Sequence, residues 1–193
     1  MKSQDKKGRV VVISGPSGVG KGTICAEVAR RLPDIYINVS ATTRPQASSE
    51  AEGRDYFFIS DEEFERLKKE KKLLEYAEVF GNMYGTPKDE VDKALADGKI
   101  VILEIDVQGG KSVKKIYPDA VLIFILPPDS RELERRLTGR GRDEAEAARK
   151  RLSWSSREIQ EAEKFYDYKV VNDNLENSVE EVIKIICEKQ KEQ

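Results

Sequence analysis

Two rhythms of hydrophobic and polar positions run along the chain. In the first, short runs are apolar at nearly consecutive positions: residues 9–14 (Arg-Val-Val-Val-Ile-Ser), 100–106 (Ile-Val-Ile-Leu-Glu-Ile-Asp), 120–126 (Ala-Val-Leu-Ile-Phe-Ile-Leu) and, more weakly, 168–172 (Tyr-Lys-Val-Val-Asn). Strands covered on both faces read this way, so these runs predict a buried parallel sheet. In the second, apolar residues recur at helical spacing: 24–32, 88–97, 109–116, 130–137, about 144–164 and 175–189. Strand and helix alternate, which predicts an α/β fold with a central parallel sheet flanked by helices.

The alternation breaks once. Residues 35–40 (Ile-Tyr-Ile-Asn-Val-Ser) predict a second strand, but 41–56 carry no apolar period and read as a functional loop. A short strand at 56–60 follows, and Ser60-Asp61-Glu62-Glu63 is a helix start, with Phe64 and Leu67 on one face and lysines from Lys68 to Lys72 at its end. Residues 73–80, the turn Gly81-Asn82 and residues 83–87 have hairpin spacing. The expected organisation is a core of residues 1–36 and 88–193 with an inserted, mostly β subdomain at 37–87.

The stretch Gly15-Pro16-Ser17-Gly18-Val19-Gly20-Lys21-Gly22-Thr23 lies between the first strand and the first helix. Glycines there let the backbone take positive φ and approach a ligand, so that successive N–H groups can point at phosphate oxygens. The helix start adds a positive end to the same spot, and Lys21 supplies a full charge on a long stem. The strand, loop and helix order is the setting that a phosphate-binding loop needs. Ser or Thr is expected directly after the lysine to help hold Mg²⁺, but Gly22 stands there and Thr23 follows. Thr23, directly or through water, is the candidate metal ligand. Gly-Lys-Gly-Thr resembles the loop of adenylate kinases and some other nucleotide kinases.

With 193 residues the chain has room for one well-buried core plus small insertions. It carries 34 Lys plus Arg against 36 Asp plus Glu, a net charge of −2, so a broad nucleic-acid-binding surface is not expected and phosphate recognition must be local. There is no histidine, which excludes Ser-His and Cys-His catalysis and His-ligated metals. Cys25 and Cys187 sit in apolar helical patterns and read as core residues. No run approaches the roughly 18 apolar residues of a membrane span, and residues 1–7 lead into a six-residue apolar strand rather than a signal peptide. A cytoplasmic protein without membrane or nucleic-acid partners is expected, and nothing in the pattern specifies an oligomeric state.

The odd loop and the hairpin carry a further set of motifs: Ser40-Ala41-Thr42-Thr43-Arg44-Pro45, then Glu50, Gly53 and Tyr56, then Glu75-Tyr76-Ala77-Glu78 and Gly81-Asn82-Met83-Tyr84-Gly85-Thr86. In this order and spacing they resemble the GMP-binding segment of guanylate kinases. Glu104-Ile105-Asp106-Val107-Gln108-Gly109, the arginine-rich stretch 131–151 and Val171-Asn172-Asp173 extend the resemblance over nearly the whole chain. It implies a P-loop kinase that transfers the γ-phosphoryl group of ATP to GMP, with Mg²⁺ as cofactor.

Position by position, the resemblance implies that Glu75 binds the guanine edge, where N1–H and the 2-amino group are adjacent donors. Adenine would face that carboxylate with a lone pair. Ser40, Thr86 and Asp106 match further base-contacting positions, with Gly85 beside them. Arg44, Tyr56 and Tyr84 match holders of the GMP phosphate. The family normally has a second arginine where this chain has Ala47, and Arg54 is a candidate substitute. Arg136, Arg140 and Arg151 match arginines that close over the ATP phosphates, with Gly139 and Gly141 as lid hinges. Asn172 matches an ATP-binding position, and Glu104 a carboxylate that could hold Mg²⁺ through water. Loose phosphoryl-transfer transition states need positioning and cations rather than a strong base, which suits a chain without histidine.

Other readings compete with these. Arg131, Arg135, Arg142 and Arg149 read as a solvated helix face, Tyr56 and Tyr84 alone would be ordinary strand aromatics, and Trp154 reads as a packed helix aromatic without a role in chemistry. Two other functions are open: a non-catalytic guanylate-kinase-like interaction module, and a related kinase acting on a phosphorylated ribose, for which Ala47 leaves room. ADP release with GMP separates the first, and a comparison of acceptors the second.

Overall fold

The computed structural model describes the backbone of residues 7–138 and 145–191, with side chains outside 130, 136–138, 145–152 and 190–191. The central element is β1 (Arg9–Ser14), buried from Val10 onward on both faces. Its alternate residues feed two cores. Val11 and Ile13 pack with Ile24, Cys25, Val28, Val179 and Val182, whereas Val10 and Val12 pack with Leu103, Val113, Leu122 and Phe124. Period-2 alternation on an apolar strand therefore makes one helical layer on each side of the sheet.

After β1 come α1 (Lys21–Arg31), β2 (Ile35–Ile37), β3 (Ala41–Thr42), β4 (Phe57–Phe58), α2 (Asp61–Lys69), β5 (Leu73–Val79) and β6 (Asn82–Pro87). The chain continues through α3 (Lys88–Ala96), β7 (Ile100–Glu104), α4 (Val107–Ile116), β8 (Val121–Leu126), α5 (Ser130–Thr138), α6 (Ala145–Phe165), β9 (Tyr168–Val171) and α7 (Leu175–Lys191). Strands β2-β7-β1-β8-β9 form a parallel five-stranded sheet, as the continuous apolar runs predict. A second sheet, β4-β3-β6-β5, falls wholly within residues 41–87.

Among the boundaries that differ from the expectations, three shape the surroundings of the cleft. The strand expected over 35–40 stops at Ile37: the Asn38 N–H still donates to Ile102 O at 3.0 Å, and the chain then crosses to the second sheet, where Ala41 pairs with Gly85. The first helical residue after β7 is Val107 rather than Gly109, because the Asp106 carboxylate caps the helix by accepting the Gly109 N–H at 2.8 Å. The hairpin turn is Phe80-Gly81 rather than Gly81-Asn82. Asn82 already pairs with Val79, and both turn residues have positive φ, 51° at Phe80 and 78° at Gly81.

One irregularity positions the site. Between Leu73 and Tyr76 the β5–β6 register slips by one residue, a bulge, and three consecutive side chains, Leu73, Leu74 and Glu75, are buried. Leu74 enters the core cluster of the main sheet, joining the second sheet to the first. Glu75 turns into the space between the sheets.

Candidate active site

That space is a cleft of about 490 Å³ at the carboxyl ends of β1 and β7. Ligands in open α/β sheets bind at such an edge, because the loops and helix N-termini that follow the strands converge there. One wall is the loop after β1. Lys21, the first residue of α1, folds its ammonium back to donate to Gly15 O at 2.7 Å and Pro16 O at 3.2 Å. Gly20 caps the helix at φ 104°, and a Cβ there would stand 2.5 Å from Asn172 Nδ2. That amide donates to Val19 O at 2.7 Å, so Asn172 holds the loop's backbone from behind. Gly15, Ser17 and Lys21 line the cleft, while Pro16 and Val19 are buried beneath the turn with Gly18 between them.

Gly22 and Thr23 are exposed at the start of α1. A Cβ on Gly22 would come within 3.4 Å of Glu104 Oε2, so the end of β7 brings a carboxylate against the helix start where a hydroxyl side chain was expected. Burial pushes the Glu104 carboxyl up, with Lys21 drawing it down. Burial also raises Asp106, against its hydrogen bonds from the Gly109 N–H and Gln108. Among the described residues no three Asp, Glu, Cys or His converge on one point. Thr23 and Glu104 offer hard oxygen donors, which fits Mg²⁺, an ion that keeps several waters and takes phosphate oxygens rather than an all-protein cage.

The opposite wall is the second sheet. Glu75, Ala77 and Val79 of β5 face the cleft, together with Asn82, Tyr84 and Gly85 of β6. Glu75 is 6% exposed and accepts the Thr86 hydroxyl at 2.6 Å. Burial pushes its carboxyl up to about 7 despite the Thr86 hydrogen bond, and Asp106 pushes the same way. Thr86 is fully buried, so its hydroxyl serves Glu75 instead of facing the cleft. Ser40 and Asp106 line the cleft near this carboxyl.

Further along the same wall, Arg44 forks onto Glu50, Nη1 to Oε2 at 3.0 Å and Nη2 to Oε1 at 2.9 Å, and its Nε donates to the Tyr84 hydroxyl at 3.2 Å. Its guanidinium lies 5.5 Å from the Tyr56 ring centre, and Tyr56 meets Tyr84 edge-on. Glu50, followed by Tyr84, holds Arg44 firmly in its charged form. Glu50 also accepts the Ala47 N–H at 2.9 Å, so Ala47 lines the cleft with its methyl beside the Arg44–Glu50 pair. Arg54 does not take up the vacated cationic place. Its side chain is 69% exposed, donates to Asp55, and is not among the residues lining the cleft.

Three features lacked a local sequence signal. Glu158 of α6 reaches into the cleft, where burial pushes its carboxyl up to about 7 while Lys21 lowers it. Trp154, one turn earlier, is a partly packed helix aromatic as expected, with Phe80 as its ring partner, and it also lines the cleft. Gly109 gives room to the Glu75 carboxylate: a Cβ there would lie 2.6 Å from Glu75 Oε2. Of the expected lid residues, Arg140, Gly139 and Gly141 lie outside the described residues, as do the side chains of Arg136 and Arg151.

The geometry thus sets a glycine-rich loop and its lysine opposite an arginine, two tyrosines and a buried carboxylate. Known proteins resemble the chain over most of its length. The guanylate kinase family model matches residues 7–189. The chain is 48% identical to the guanylate kinase of Carboxydothermus hydrogenoformans over 91% of this chain and 86% of the relative, and 46% identical to that of Synechocystis sp. over 95% and 96%. The crystal structure of guanylate kinase from Anaplasma phagocytophilum superposes with a TM-score of 0.81 at 34% identity, covering 96% of this chain and 87% of that one.

Proposed function

The chain belongs to the guanylate kinase family, and from that premise we propose how its cleft works on its two substrates. The protein is an ATP:GMP phosphotransferase, moving the γ-phosphoryl group of ATP to GMP to give ADP and GDP. The observation that carries the assignment of sites is the buried Glu75, hydrogen-bonded by Thr86 and sharing one cleft with Lys21.

On the ATP side, the N–H groups of residues 15–23 and the Lys21 ammonium bind the triphosphate; Lys21, whose carbonyl partners are on the loop itself, exchanges them for phosphate oxygens without leaving the loop. Asn172 keeps the loop in shape. On the GMP side, Glu75 in its ionised form accepts N1–H and the 2-amino group, with Ser40 and Asp106 near the same edge and beside them the backbone of Gly85, which Leu73 and Phe64 behind it keep free of a side chain. Arg44, Tyr56 and Tyr84 hold the phosphate, and Glu50 orients Arg44 while offsetting its charge. Because Ala47 supplies no second cation, this half of the cleft grips the monophosphate with one guanidinium.

Arg136, Arg140 and Arg151 are the candidates to neutralise the migrating group. Mg²⁺ bound with ATP, near Thr23 and Glu104, would supply charge neutralisation on the phosphates. Attack by a GMP phosphate oxygen in line with the γ-phosphorus needs no covalent enzyme intermediate, and an enclosed cleft keeps water from competing as acceptor. A coupled assay of ADP release with GMP, dGMP, AMP and ribose 5-phosphate tests this reading. GMP is expected to be preferred over AMP by roughly 10⁴-fold in kcat/KM, as for sites built to hydrogen-bond one substrate edge. Equal turnover of AMP or of the sugar phosphate would overturn it.

A further inference from the structure

Among the described residues, Phe80 is one of two non-glycine residues with positive φ. It fills the first place of a two-residue turn whose second residue, Gly81, is also at positive φ, a geometry that favours Asn-Gly and penalises a bulky side chain. Strain of this kind persists where surrounding contacts impose it, and such places cluster at ligand clamps. The contact here is explicit. The Phe80 ring lies 5.5 Å from the Trp154 ring at 51°, and both rings line the cleft.

The two residues belong to opposite sides of the site. Phe80 is the tip of the hairpin whose cleft face carries Glu75 and Tyr84. Trp154 belongs to α6, whose far end is fastened to the main sheet: Ala162 is in the core, and just beyond the helix Tyr166 donates to Ser14 Oγ at 2.5 Å. Between these points Glu158, four residues after Trp154 and so on the same helix face, meets the cleft within reach of the Lys21 charge. Helix α6 therefore spans from the loop strand to the hairpin tip, and Phe80 on Trp154 is its contact with that tip.

We propose that Phe80 and Trp154 are positioning residues that couple occupancy of the GMP half of the cleft to the helix bordering the ATP half. The inference rests on the GMP kinase reading above. A nucleotide held by Glu75 and Arg44 orders the hairpin as a unit, and the ring contact at its tip passes that ordering to α6, so each nucleotide tightens the binding of the other.

The protein carries its own probe, because Trp154 is its one tryptophan. Titrating GMP into the full chain should change Trp154 emission, and the dissociation constant for GMP should fall when adenylyl imidodiphosphate with Mg²⁺ is already bound. Phe80→Asn installs a residue the turn prefers, so its melting temperature should hold or rise, yet the coupling between the two nucleotides should fall by about two- to tenfold, the range one aromatic pair supplies. Emission should then no longer follow GMP. Trp154→Phe should keep the coupling, Trp154→Ala should lose it, and the Phe80→Asn, Trp154→Ala double variant should lose no more than either alone. Independent binding in the wild type, emission blind to GMP, or unchanged coupling in Phe80→Asn would overturn the inference. Wild-type turnover of GMP, measured alongside, separates that outcome from a failure of the kinase reading itself.

Discussion

To accept two N–H donors, the role proposed for Glu75, a carboxylate must be ionised, and at Glu75 burial works against this. Its carboxyl, at 4.5 without the fold, is pushed up to about 7. The folded, unliganded protein therefore holds this proton more tightly than the unfolded chain. The stability it lends is complete below about pH 4.5 and drains away as pH rises through about 7. Binding has the opposite slope, because GMP needs the form that higher pH supplies. We expect kcat/KM for GMP to rise through about pH 7 to a plateau, and Glu75→Gln to lose that rise along with roughly 10²–10⁴-fold in kcat/KM, the worth of two hydrogen bonds to a charged acceptor. The same substitution should stabilise the unliganded protein above pH 7, by on the order of 3 kcal/mol from the linkage. Urea melts at pH 5 and pH 8 measure that difference, and a variant equally stable at both relative to wild type would contradict it.

At the scale of elements, Glu75 is aimed by a bulge in β5 and stopped by the first turn of α4. Gly109 leaves the carboxylate its place, since a methyl there would stand 2.6 Å from Oε2 against helix backbone that cannot retreat. Gly109→Ala should raise KM for GMP by about tenfold or more while leaving KM for ATP within a factor of two, measured by varying each nucleotide at saturation of the other. An equal rise for both would mean that the helix itself had been disturbed. These two elements also mark where the sequence could and could not be read. The main sheet was legible because residues such as Val10 to Ile13 are apolar at every position, and a strand buried on both faces allows nothing else. Arg44, Tyr56, Glu75 and Tyr84 were legible as motif members in a fixed order. The bulge was not, because Leu73-Leu74-Glu75 reads as two strand residues and a solvated charge until Leu74 finds the other sheet. Nor was the turn, since Gly81-Asn82 carries the usual turn residues while pairing of Val79 with Asn82 puts Phe80 there instead. Contacts such as Gly109 with Glu75, or Phe80 with Trp154, join residues far apart in sequence and leave no local pattern.

At the scale of the molecule, the question is whether the two sheets behave as one body. Phe64 and Leu73 are buried beside Gly85 in the second sheet but join neither core cluster of the main sheet, whereas Leu74 inserts into the cluster formed by Val10, Val12, Leu103 and Leu122 of the main sheet. A sheet of four strands, two of them two residues long, buries too little to hold together without that anchor. Calorimetry should accordingly show one unfolding transition rather than two. GMP, although its proposed contacts are mainly with the second sheet, should move the whole transition. At about 100 times its dissociation constant a ligand adds about 2.7 kcal/mol, which for a chain of this size is a rise of about 5–10 °C. Two resolved transitions, with GMP shifting only the lower, would mean that the insertion folds apart from the core. In that case the buried Leu74, and with it the bulge that aims Glu75, would be formed only when nucleotide is bound.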